Sequence, residues 1–164
     1  MTNDPLAHLT PADAVASLRS LPRRFGEAFA PAPDAAGTPD ELAQRVGADG
    51  RSPAQHLTDV VNGLPLLNRA LEQVLTSDDP ALHPGITDLG GQWDDTPVAA
   101  LESALAQLGD AAIALADRAA RVGAKEWNRT GHLADGAAVS ALELLRAAVR
   151  LATDALRACQ ADPA

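Results

Sequence analysis

The strongest constraint in this chain is a helical rhythm of aliphatic residues that recurs four times. After Ser52, residues Leu57, Val60, Val61, Leu64, Leu67, Leu71 and Leu75 return every three or four positions. That spacing lines one face of an α-helix and no face of a strand. A second run carries Val98, Leu101, Leu105, Leu108, Leu115 and Val122, and a third carries Leu142, Leu145, Val149, Ala152 and Leu156. The stretch "TPADAVASLRSLPRRFGEAFA" near the N-terminus supplies the remaining helix.

Each segment opens on a start signal. Thr10 can cap the first helix, with Pro11 in its first turn. Ser52 and Gln55 form a capping box for the second long helix, Ser140 and Glu143 one for the fourth, and Thr38 with Glu41 one for a short extra helix running to about Val46. The third is expected to open at "TPVA" and end near Val122. Pro22 is expected to kink or split the first helix, and "GLP" at 63–65 to bend the second. No stretch alternates with period two over a useful length, so no sheet is expected. These readings give an all-α four-helix bundle, one domain over residues 1–164, with a short helix between the first and second long ones.

Composition narrows the function classes. The 164 residues carry 22 acids against 13 bases, a formal charge of −9. An acidic chain is a poor partner for nucleic acid or for an anionic membrane surface, which attract basic patches. No apolar run reaches membrane-spanning length, and the N-terminus lacks the basic start and apolar core of a secretory signal. A cytoplasmic protein is the expectation. Cys159 is the single cysteine; its apolar neighbours mark it as a small buried hydrophobe rather than a nucleophile. Phosphate-loop, dinucleotide, nucleophile-elbow and paired-cysteine metal motifs are all missing.

Three stretches carry a resemblance: "SLRSLPRRF" at 17–25, "GADGRSPAQHLTDVVNGL" at 47–64 and "EWNRTGHLADGAAVSALELLR" at 126–146. In their order and spacing the chain resembles the DinB-like superfamily of helical bundles, which includes mycothiol-dependent maleylpyruvate isomerases and bacillithiol transferases. The likeness spans almost the whole chain. Many members of that family hold a divalent metal on three histidines. One lies on the second helix, eight residues after a Trp, and two lie one turn apart on the fourth. Carried onto this sequence, the Trp position is Arg51 and the ligand positions are Asp59, Arg150 and Asp154. All three histidines are therefore replaced, and a guanidinium has no lone pair to offer a metal.

Two arrangements follow. In the first, Asp59, Arg150 and Asp154 form a polar cluster, one arginine held by two carboxylates where relatives hold a metal, and no cofactor is present. In the second, His56, Asp59 and Asp154 retain a divalent metal (Zn, Ni, Fe or Mn) for use with a low-molecular-weight thiol, as the resemblance implies. Against both stands a plain surface reading. Glu143, Arg146, Arg150, Asp154 and Arg157 fall within an arc of about 80° on the helical wheel, as a solvated stripe would. Arg150 and Asp154 would then be an exposed i, i+4 pair. His8, His83 and His132, and the acids Asp78, Asp79, Asp88, Asp94 and Asp95, are expected to be solvated. Trp127 and Trp93 are expected to plug the ends of the core. The functions that follow are a metal-free small-molecule-binding or interaction protein, with a homodimer as one form of the latter, and a metal-dependent thiol S-transferase or isomerase.

Overall fold

The structure is a computed structural model and describes residues 4–161. Five α-helices account for most of it: α1 (Pro11–Ala28), α2 (Pro39–Ala43), α3 (Pro53–Thr76), α4 (Leu101–Ala119) and α5 (Ala141–Gln160). α1, α3, α4 and α5 form the bundle. α3 packs on α4 and α5, and α1 packs on the same two. The consecutive long helices α1 and α3 therefore stand at opposite corners, as do α4 and α5. Joining diagonal corners needs a long connection, which is why residues 29–52 and 120–140 cross the ends of the bundle.

The helical rhythm of the sequence is the core. Leu18, Leu21 and Phe25 of α1 meet Leu57, Leu64, Leu67 and Leu71 of α3, Leu108 and Leu115 of α4, and Leu144, Leu145 and Leu156 of α5, all nearly inaccessible to water. Alanines fill the narrow places between them, among them Ala112, Ala116, Ala148 and Ala152. Burying side chains of this kind is the main favourable term in folding. Trp127 closes one end of the core as expected. Trp93 is only half-buried and stands outside the core cluster.

Local signals place the helix starts. Thr10 accepts the Asp13 N–H, and the boxes at Thr38/Glu41, Ser52/Gln55 and Ser140/Glu143 are all formed. Pro22 lies within α1 without splitting it and packs against Gly109, where α4 presents no side chain to obstruct it. α3 continues through Pro65 as one helix. The bounds of two helices and the absence of a sheet need correction. α2 ends at Ala43 rather than Val46. α4 begins at Leu101, five residues after Thr96. It has no cap of its own: the carboxylate of Asp40 on α2 accepts the Leu101 N–H at 3.0 Å. It ends at Ala119, short of Val122.

The last of these corrections concerns the absence of a sheet. β1 (Thr130–His132) and β2 (Ala138–Ser140) pair antiparallel, closed by a turn with Gly136 at φ +83°. Three residues per strand are too few to show an alternating pattern. The hairpin docks on the segment after α3: Leu82 N–H donates to His132 O and His132 N–H to Pro80 O. Gly131 makes this possible, since a Cβ there would lie 2.8 Å from the Pro80 carbonyl oxygen. Backbone cannot step aside as a side chain can. Gly131→Ala is expected to lower stability by about 1–3 kcal/mol. Gly63→Ala, whose Cβ meets only the far end of the Leu151 side chain, is expected to cost less. Urea denaturation of the two variants measures the difference.

Candidate functional site

α3 and α5, with the loop after α3 arching over them, enclose a cleft of about 420 Å³. Its lining includes Arg51, His56, Asp59, Arg150 and Asp154, with Ile86, Leu89 and Leu151 as apolar wall. The positions singled out by the resemblance therefore share one space. Their bonding is different from that expected.

The centre is Asp59, on the second turn of α3 and 3% exposed. A carboxylate taken that far out of water needs donors. Arg51 provides one: its Nη2 donates to Asp59 Oδ2 at 2.8 Å. The Gly91 N–H adds another at 3.2 Å to both carboxylate oxygens. Gly91 has φ +84°, a conformation that favours glycine, and this turn brings its N–H over the cleft. The same arginine forks onto Asp94, through Nε at 3.1 and 3.2 Å and through Nη2 at 2.5 Å. Its Nη1 donates to His56 Nδ1 at 3.1 Å. Since a guanidinium can only donate, His56 carries its lone pair on Nδ1 and its hydrogen on Nε2. That hydrogen goes to Asp49 Oδ2 at 2.7 Å.

The result is a continuous chain, Asp49–His56–Arg51–Asp59, with Asp94 as a second anchor for the arginine. Burial works against the charge of Arg51, but the hydrogen bonds to Asp94 and Asp59 outweigh it and raise its pKa. Burial also raises the pKa of Asp59; the bonds from Arg51 and Gly91 offset only part of that. Asp49 is lowered, chiefly by the backbone N–H of Arg51, with His56 contributing.

The polar cluster expected at Asp59, Arg150 and Asp154 is thus corrected. One arginine held by two carboxylates does occur, but it is Arg51 between Asp59 and Asp94. Arg150 instead pairs with Asp4, on the N-terminal segment laid along α5, which Arg146 also holds through the Leu9 carbonyl. Asp154 approaches Arg157 at 3.7 Å. Arg150 and Asp154 do not bond each other: free rotamers on an exposed face choose partners of opposite charge nearby, and the basic-first order is the weaker one for an i, i+4 pair. Of the loop acids expected to be solvated, Asp94 is engaged by Arg51, while Asp78 and Asp79 are exposed as expected and reach Arg129 and His132 from the surface.

The residues present do not fit the divalent metal that the resemblance implies. Among the described residues no three of His, Cys, Asp and Glu stand together as a ligand set. Both nitrogens of His56 and both oxygens of Asp59 are engaged, and two guanidiniums line the cleft. The set His56, Asp59 and Asp154 is therefore not assembled.

Removing the arginine exposes its role. Arg51→Ala leaves Asp59 buried beside one backbone donor, and the expected loss is about 3 kcal/mol. Asp94→Ala, at a more exposed partner, is expected to cost less than about 1 kcal/mol. Asp59 also leaves a pH signature. Its folded pKa lies above the ordinary 3.8, so the folded state binds more protons in that window and stability falls as pH rises through it. Wild type is expected to lose stability relative to Asp59→Asn as pH rises from just below 3.8. Chemical denaturation of both proteins across that range reads it.

No protein-family model and no curated protein matches the chain. A solved structure does: YfiT from Bacillus subtilis, described as a probable metal-dependent hydrolase with an unusual four-helix bundle topology. The two align with a TM-score of 0.72 over 95% of this chain and 87% of that one, at 13% sequence identity. At such identity the likeness is one of fold, and it bears out the all-α four-helix bundle. No helix among the described residues is long and apolar enough to cross a membrane.

Proposed function

We propose that this chain is a DinB-like domain protein that works without a metal, as a small-molecule-binding or interaction protein. The observation that carries this reading is the guanidinium of Arg51, held by Asp59, Asp94 and His56 in the cleft where the family resemblance places a divalent cation. A fixed organic cation does there what a metal does structurally. It neutralises buried carboxylate and ties α3 to the loop above it through charge-assisted hydrogen bonds. It does not do what a metal does chemically: it leaves no open coordination position, so it cannot activate a water or a thiol by ligating it.

The cleft keeps features suited to a ligand. Its lining combines the apolar Ile86, Leu89 and Leu151 with the paired Arg51, His56 and Asp59, and with Arg150, which pairs with Asp4. Its charges are already matched with one another, so an uncharged or zwitterionic guest suits it better than a strong ion.

The competing reading is a metal-dependent thiol S-transferase or isomerase with altered ligands, and the description of YfiT as metal-dependent is what favours it. Protein purified without chelator separates the two. The metal-free reading expects only trace Zn, Ni, Fe and Mn, with no rise in melting temperature when they are added. A stoichiometric metal that disappears in Asp59→Ala or Asp154→Ala would contradict it.

A further inference from the structure

A second cavity, larger than the cleft, lies at the other side of Arg51. It is half open to solvent and offers about 680 Å³ between the end of α1, the connection to α2, α2 itself and the last turn of α5. Arg51 is the one residue that lines both spaces. The sequence explains this space. The connection that crosses the bundle end is built from Ala, Pro and Gly, with side chains too short to fill the space beneath. Phe29, Leu42, Pro53 and Ala158 give an apolar lining. The volume falls in the usual range for small-molecule sites, which are concave and mostly apolar.

The charged residues around it decide what it can hold, because each is already committed. Glu27 is bound by Arg23 and Asp49 by His56. Arg45 donates to the Ala36 carbonyl, and Arg51 is tied to Asp59 and Asp94. Cys159 faces the cavity and its thiol donates to the Pro53 carbonyl at 3.6 Å. Burial pushes that thiol up to about 12, so it stays neutral. Nor is the cavity one apolar patch among many: the large hydrophobics that stand well exposed among the described residues are Val46 and Ile113.

We propose that this cavity is a binding site for a small uncharged apolar molecule, enclosed between the α1–α2 connection and the end of α5. The proposal rests on the small-molecule-binding half of the function above and not on the cleft being metal-free.

The probe is N-phenyl-1-naphthylamine, which is uncharged and fluoresces in apolar surroundings. Folded wild-type protein is expected to bind one molecule per chain. Ala158→Phe, which fills the cavity, is expected to weaken binding about tenfold or more, while Arg150→Ala, in the cleft, leaves it unchanged. Circular dichroism checks that each variant is folded; if Ala158→Phe is not, Ala32→Trp on the overlying connection is expected to give the same loss. No binding by wild type, full binding by a folded filled variant, or loss on Arg150→Ala would each overturn the proposal. Metal content measured on the same sample keeps the two readings apart. Stoichiometric metal with probe binding intact removes the metal-free reading and leaves this site standing.

Discussion

A buried carboxylate must be matched, and the arrangement of the cleft follows from that requirement at Asp59. The residue sits on α3 with only 3% of its surface exposed, so donors have to come to it. Arg51 comes from just before the helix cap, and the Gly91 N–H comes from the loop above. Once Arg51 is fixed, the remaining partners are fixed too. Asp94 accepts the fork of the guanidinium, His56 must turn its lone pair toward Nη1, and Asp49 receives the hydrogen on the other ring nitrogen. The loop over the cleft is thereby held to α3 by ionic contacts as well as by the buried Leu82 and Ile86.

The same requirement explains how the two cavities relate. Arg51 stands between an amphipathic cleft and an apolar cavity beneath the α1–α2 connection. The diagonal layout of the bundle is the reason the second exists. Long connections must cross the bundle ends, and segments of Pro, Ala and Gly do so without filling the space they cover.

Much of the fold is legible in the sequence because it rests on local physics. The Leu and Val spacing finds every bundle helix, and three capping boxes mark starts to the residue. What is not legible depends on contacts distant in the chain. The start of α4 is set by Asp40, sixty-one positions away, so "TPVA" reads as a beginning when it is loop. Pro22 reads as a kink or a split, and α1 stays one helix because the packing that holds it together around that proline is tertiary.

The site shows the same division. Counting from the Arg-Ser step at 51–52 leads to Asp59, and both residues are central. The partner of Asp59 is missed, although Arg51 is the nearer candidate: a long side chain just before a cap can lie back along the first two turns of its own helix. Asp94 could not be found this way, since it arrives from a loop 43 positions on. The helical wheel groups Arg150 with Asp154, yet neither the N-terminal segment carrying Asp4 nor the choice of Arg157 is written in that pattern.

The central claim is that a guanidinium holds the place of a cation. A crystal soaked in nickel and recorded at the nickel absorption edge tests it most directly, because it shows the arginine and any metal together. The account predicts Arg51 bonded to Asp59 and Asp94, with no anomalous peak in the cleft. A peak between Asp59 and Asp154, with Arg51 swung aside, would contradict it.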